Sequence, residues 1–175
     1  MFLNYFAYGS NMSAPRLAAR VPGLEVLTVG RLAGYALCWH KPGRDGSGKC
    51  DIVRSSGHDV YGVVYRLPQQ AKPILDRYEG LGVGYHGREV VLDCGGDSLS
   101  AFTYVAAVTE RGLKPFSWYK HHTLFGARQR LLPEFYIEQI CRVDSMTDPD
   151  SERHRRELAI YSEAELQELN RGGAA

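Results

Sequence analysis

Residues 3–12 read Leu-Asn-Tyr-Phe-Ala-Tyr-Gly-Ser-Asn-Met, and this stretch constrains the fold more than any other. Leu3, Tyr5 and Ala7 fall on one side of an alternating pattern, with Asn4, Phe6 and Tyr8 on the other. Period two and aromatic richness predict a strand buried on at least one face. The run stops at Gly9-Ser10-Asn11. Glycine lets a backbone turn sharply or lie against a ligand, while Ser and Asn favour turns and caps. Ser13 then suits the cap of a helix over residues 13–19 that tolerates Pro15 in its first turn. A strand, tight polar loop and helix in succession can present amide N–H groups to an anion or a polarised carbonyl oxygen. Read from pattern alone, the same loop also serves as an ordinary strand-to-helix connection.

A chain of 175 residues suits a single domain with a sizeable core, here residues 1–145, followed by a helical tail over about 150–175. Basic and acidic residues number 21 and 20, for a net charge of +1. That balance gives no electrostatic reason to expect nucleic acid or an anionic membrane as a partner. No apolar run is long enough to span a bilayer and no signal peptide is visible, which predicts a cytoplasmic protein. Cys38, Cys50, Cys94 and Cys141 are scattered and read as reduced thiols.

Residues 25–32 and 35–40 read as two strands joined around Gly34, and residues 41–49 as a mobile loop rich in Gly and charge. A second pair, 50–54 and 59–67, is connected through Ser55-Ser56-Gly57-His58; a third, 88–92 and 99–106, through Cys94-Gly95-Gly96-Asp97. Helices are expected over 117–125 and 133–141, the latter with Phe135, Ile137 and Ile140 inward. Thr147-Asp148-Pro149-Asp150 breaks the chain, Ser162 to Glu165 forms a capping box, and Gly172 to Ala175 is expected to fray. Strands early and helices late make the class α+β.

The most informative helix is predicted over residues 69–79. Ala71, Ile74, Leu75 and Tyr78 stand at i, i+3, i+4 and i+7, and the next place on that stripe is Glu79. A carboxylate therefore occupies a position where the pattern asks for a core residue, and Gly80 ends the helix. Burial and the negative end of the helix dipole both disfavour its charge, which suits proton transfer near neutral pH. The alternative is a stripe that drifts, leaving Glu79 a solvated end residue.

Tyr5 through Met12 closely resembles the opening motif of the γ-glutamylcyclotransferases, and Leu75-Asp76-Arg77-Tyr78-Glu79-Gly80 resembles the segment carrying their acid/base Glu. Tyr85 and Arg88 are similar to a Tyr and an Arg that follow in many relatives, and Tyr104 to a strand tyrosine. Tyr119-Lys120, Gly126-Ala127, Leu132-Pro133 and Tyr136 resemble the helical region of the vertebrate-type enzymes, with the tail outside the resemblance. It implies a compact mixed β-barrel-like sheet with flanking helices. It also implies Glu79 as the catalytic acid/base and Tyr5, Phe6, Ala7, Tyr8, Gly9, Ser10, Asn11, Tyr85 and Tyr119 as residues that bind a small γ-glutamyl substrate. Relatives include monomers and homodimers. Some act on γ-glutamyl amines, and a non-catalytic γ-glutamyl-binding module is a further alternative.

Other motifs carry less. Gly82 to Gly87 spells G-x-G-x-x-G, but a helix precedes it and a strand follows, the reverse of a dinucleotide site. His121 and His122 are adjacent and point to different faces of a helix. No cofactor and no metal are expected. Cyclising a γ-glutamyl group needs no protein nucleophile, since the substrate's own α-amine attacks its γ-carbonyl to give 5-oxoproline.

Overall fold

The computed structural model describes residues 1–171; the frayed end expected at Gly172 to Ala175 lies outside the described residues. The chain begins with β1 (Phe2–Ala7), a single 3-10 turn (Ser10–Met12) and a short α1 (Ala14–Ala18), whose first turn is capped by the Ser13 hydroxyl. Two long strands follow, β2 (Glu25–Pro42) and β3 (Gly48–Pro68). Next come α2 (Lys72–Glu79), β4 (Tyr85–Cys94) and β5 (Asp97–Ala106). Four helices complete the chain: α3 (Ser117–Gln129), α4 (Glu134–Cys141), α5 (Ser151–Leu158) and α6 (Glu163–Arg171). No described helix is long and apolar enough to cross a membrane.

The strands close a barrel in the order β1-β3-β2-β4-β5. All neighbours run antiparallel except β1 and β5, which meet in parallel at Tyr5 and Phe102. The α+β barrel with flanking helices is thus the observed architecture. Its wall differs from the sequence reading in one respect. The segments 25–32 and 35–40 are one strand, and 50–54 and 59–67 are another, paired with each other rather than within themselves. Gly34, at φ +75°, stands alone against residues 55–58, between the pairs Ala33–Asp59 and Tyr35–Arg54. Such irregularities bend long strands so that a small barrel can close, and in sequence they look like turns.

Residues 41–49, expected to be mobile, are the ordered tip of this hairpin. Lys41 and Pro42 pair with Lys49 and Gly48. Gly43 N–H donates to Ser47 O at 2.8 Å, and Asp45 accepts from Ser47 and from Lys49 Nζ at 2.7 Å. Gly48 N–H donates to Lys114 O at 2.8 Å, tying the tip to the segment before α3.

The helices pack on the barrel with fewer inward residues than the pattern implied. On and just before α2, Ala71 and Leu75 are buried, whereas Ile74 and Tyr78 are exposed. On α4, Ile137 and Ile140 face the core, while Phe135 is exposed and meets Tyr61 edge-on. α3 extends one turn beyond its expected end and crosses the 3-10 turn so closely that a Cβ on Gly126 would lie 2.2 Å from the Met12 carbonyl carbon. α5 opens the helical tail expected from about residue 150, and Asp150 caps it by accepting from Arg153 N–H at 2.9 Å.

The crossing at Gly126 makes the site loop sensitive to one methyl group. Gly126→Ala overpacks it and is expected to cost about 1–3 kcal/mol. Chemical denaturation measures that loss, which a Gly→Ala change in an unconstrained helix interior would reverse into a gain.

Candidate active site

The site lies where the end of β1 meets the end of α2. The strand delivers Tyr8 and Gly9 to the 3-10 turn, which is closed by Met12 N–H to Gly9 O at 2.9 Å and Ser13 N–H to Ser10 O at 3.3 Å. The first amides of such a turn have no intrahelical acceptor. Gly9 is required by closeness: its φ is −117°, but an added Cβ would sit 2.8 Å from Cys50 Cβ. Glu79 is the last residue of α2. Gly80 then turns the chain into the left-handed region at φ 65°, donating its N–H toward Arg77 O and Asp76 O. That abrupt stop leaves the Glu79 side chain pointing at the β1 loop instead of along the helix.

Asn11 joins the two ends. Its Nδ2 donates to Glu79 Oε1 at 2.8 Å and to the Tyr5 hydroxyl at 3.1 Å, and its Oδ1 accepts from Arg20 at 3.3 Å. Arg20 therefore sets the amide's orientation, since only one flip offers oxygen to the guanidinium and nitrogen to the carboxylate. Around this pair, the Tyr119 hydroxyl accepts from Cys50 N–H at 3.0 Å, and the Tyr85 hydroxyl donates to Cys50 O at 2.9 Å. The Tyr8 hydroxyl donates to Tyr104 O, and the Tyr104 hydroxyl to Asp76 at 2.6 Å.

An inner cavity of about 30 Å³ is lined by Tyr5, Tyr8, Gly9, Ser10, Asn11, Cys50, Glu79, Tyr85, Tyr104 and Tyr119. It has room for a water or two. Beside it, sharing Ser10, Glu79, Tyr85 and Tyr119, opens a basin of about 720 Å³ walled by α1, the β2–β3 hairpin tip, the turn after α2, α3 and α5. Nearly all the residues expected at the site meet here. Phe6 and Ala7 do not line it: both are buried in the barrel wall, where the Phe6 ring lies against Gly62 and Ala7 pairs with Val63. Arg88 is exposed on β4.

Burial raises the Glu79 pKa, and the positive charges of Arg20, Arg16 and Lys41 and the Asn11 hydrogen bond only partly oppose it. The residue is half-buried, opening toward the basin while protein surrounds its carboxylate. Burial also raises the pKa of Tyr5, Tyr8, Tyr85 and Tyr119, so these hydroxyls stay protonated as donors. It pushes the Cys50 thiol up to about 12, which leaves it a packing group rather than a nucleophile. Among the described residues no group of three His, Cys, Asp or Glu is placed to hold a metal ion.

Sequence reasoning missed the cations. Arg16 and Arg20 follow the loop on α1 and just past it, and Lys41 sits on the hairpin tip. It also missed the part played by the tail. Arg16 pairs with Glu157 of α5 and donates to His122 Nε2 at 2.7 Å. Burial pushes His122 down to about 3, so the ring is neutral at pH 7. With Nε2 accepting, Nδ1–H donates to the Tyr161 hydroxyl at 2.6 Å, which donates to Ser13 Oγ at 2.8 Å. Burial opposes the Glu157 charge, but the adjoining Arg16 guanidinium holds its carboxyl below the usual glutamate range. This chain of bonds anchors the site loop to α3 and the C-terminal helices. Ser13, readable as a helix cap, was its one legible member.

The AIG2-like family model matches residues 59–140, which include Glu79, Tyr85 and Tyr119. A curated mouse protein named gamma-glutamylcyclotransferase is 28% identical over 156 residues, covering 80% of this chain and 78% of the relative. Its bovine namesake is 29% identical over 147 residues, with 80% and 78% covered. A solved structure titled gamma-glutamyl cyclotransferase superposes with a TM-score of 0.82 at 24% identity, covering 98% of this chain and 99% of the other. An uncharacterised human protein superposes with a TM-score of 0.81 at 25% identity, covering 97% and 98%. The shared fold thus takes in the tail, which the sequence resemblance left out. In sequence and in fold this chain is similar to the γ-glutamylcyclotransferases, and its residues 59–140 match the AIG2-like family model.

Proposed function

We propose that this protein is a γ-glutamylcyclotransferase, with Glu79 as its general acid/base and no cofactor. The observation that carries the reading is the Glu79 carboxylate, held by Asn11 at 2.8 Å at the mouth of an amide- and hydroxyl-lined cleft. The substrate is a γ-glutamyl amide, and its own α-amine is the nucleophile. The amine nitrogen bonds to the γ-carbonyl carbon, the original amide C–N bond breaks, and 5-oxoproline leaves with a free amine. Glu79 takes a proton from the amine and returns one to the departing nitrogen. An acid/base with a raised pKa suits both transfers near neutral pH.

The protein's other tasks fall to the loop and the tyrosines. Folding the substrate into its attack conformation is worth about 7–11 kcal/mol of barrier. The turn amides at Gly9 to Asn11 hold the substrate carboxylate and the developing oxyanion. Tyr85 and Tyr119 wall the opposite side, their hydroxyls fixed on Cys50. The inner cavity is too small for a glutamyl group, so the head group occupies the junction of cavity and basin. Free cysteines throughout the described chain fit a reducing cytoplasm.

Two measurements on Glu79→Gln follow. Release of 5-oxoproline from γ-glutamyl amino acids is expected to fall roughly 10²–10⁴-fold. Ser10→Ala is expected to lose far less, since main-chain groups carry that contact; release at the parent rate by Glu79→Gln would refute the assignment. The second concerns stability. A carboxyl whose folded pKa lies above its unfolded value contributes stability at low pH that is lost as pH rises through the folded value. The Gln variant escapes that loss. Its melting temperature relative to the parent protein is expected to increase as pH is raised from 4 to 7.5, with the rise starting above the ordinary glutamate value of 4.5.

A further inference from the structure

Glu79 and Glu157 of α5 line the same basin, and so does the buried Arg16 of α1. The Arg16 side chain is 7% exposed, and its Nη1 donates both to Glu157 Oε2 and to His122 Nε2, the latter at 2.7 Å. The guanidinium also lies 5.6 Å from the centre of the Trp118 ring. Its Nε, although buried, has no hydrogen-bond partner among the described residues. A guanidinium carries five N–H donors in a planar fork, so this one has donors to spare for a second carboxylate. Glu79 is the carboxylate on offer. Its Oε1 holds the Asn11 amide, and it forms no ion pair among the described residues.

The other charges around Glu79 come from every wall of the basin. Arg20 follows α1, Lys41, Arg44, Asp45 and Lys49 belong to the hairpin tip, and Arg153 to α5. Lys49 pairs with Asp45 and Arg153 with Asp148, while Arg20 is engaged with Asn11 Oδ1. Lys41 lies over the Tyr85 ring at 5.0 Å. Burial keeps the hydroxyls of Tyr5, Tyr8, Tyr85, Tyr104 and Tyr119 and the Cys50 thiol uncharged, and His122 is neutral. Glu157 is ionised, with Arg16 against it. Cations thus outnumber carboxylates in the basin, and each one that is held elsewhere leaves Glu79 closer to balance between its two protonation states. Arg16 lies one helical turn past the loop that carries Asn11, and Glu157 is the carboxylate that holds it.

We propose that Glu157 is a positioning residue for ring closure: by occupying Arg16 it keeps that guanidinium from pairing with Glu79, and so leaves Glu79 free to exchange protons. This rests on the reading of Glu79 as the acid/base. Without the Glu157 charge, Arg16 keeps only the neutral His122 ring and the Trp118 face, and Glu79 becomes the carboxylate left to it in the basin. A guanidinium paired with Glu79 favours the ionised form and opposes the return of a proton to the departing nitrogen. The C-terminal helix α5 then acts on the chemistry through Arg16, without touching substrate.

Two readouts test this in the full chain. One is the titration midpoint of the Glu79 carboxyl by infrared difference, against a Glu79→Gln reference in each background. The other is the acidic limb of the pH profile of kcat/KM for 5-oxoproline release. Glu157→Gln keeps the size and an acceptor oxygen but removes the charge. It is expected to lower both by about one pH unit, the effect of a cation brought within reach of a carboxylate. Glu157→Asp keeps the charge and should restore most of the shift. Arg16→Gln removes the cation and should raise the midpoint, and in that background Glu157→Gln should lose most of its effect. A midpoint that Glu157→Gln leaves in place, or lowers equally with and without Arg16, overturns the proposal. So does loss of activity without a shift, which is the mark of structural support alone. Should Glu157→Gln not fold, Arg16→Gln decides by itself, and a midpoint that stays or falls overturns the proposal. A midpoint that moves as expected while the acidic limb stays fixed upholds the competition for Arg16 and overturns Glu79 as the acid/base.

Discussion

One hydrogen bond, from Asn11 Nδ2 to Glu79 Oε1, spans 68 residues of sequence and brings the two halves of the site together. Each end is prepared by local structure. The 3-10 turn after β1 holds Asn11, and Arg20 orients its amide. The left-handed Gly80 stops α2 at the residue whose side chain must turn inward. Removing a carboxylate from water costs free energy, and here burial outweighs three nearby cations and the amide. A group in that condition is poised to exchange protons, at some expense to the folded state.

Such a site needs support from outside its own first contacts. The loop is pinned from below by Gly126 of α3 and from the side by the Ser13–Tyr161–His122–Arg16–Glu157 chain. Buried polar chains of this kind are favourable only when their members are satisfied together. The neutral His122 meets that condition by accepting on one nitrogen and donating on the other. The C-terminal helices, which add little to the barrel, thereby help hold the residues that face the cleft.

How much of this could be read from the sequence depended on the range of the interaction. β1 and its loop were legible because alternating aromatics followed by Gly-Ser-Asn express purely local preferences. The position of Glu79 was read correctly through a stripe that was half wrong. The two-turn α2 and the turn before it touch the barrel through Leu75 and Ala71, and Ile74 and Tyr78 look outward. The Gly80 stop, not the stripe, was the reliable signal. Phe6 and Ala7 belong to the same motif as Tyr8 to Asn11, yet the strand turns them into the barrel wall. Gly34 and Gly57 looked like turns because a bend inside a strand and a turn between strands use the same residues. Arg20 and Lys41 had no local signature. Their roles depend on what lies across the cleft, and charged residues near Gly and Pro ordinarily face solvent.

The claim on which the account stands is that the fold keeps the Glu79 carboxylate short of water beside Asn11. A carboxyl titration by infrared difference spectroscopy, with Glu79→Gln as the subtraction reference, reads that state directly. The account predicts a single carboxyl band, absent from the reference, that titrates with a midpoint above the ordinary glutamate value of 4.5. A midpoint at or below that value would contradict it, because the group would then behave as a solvated or ion-paired carboxylate rather than as a buried proton carrier.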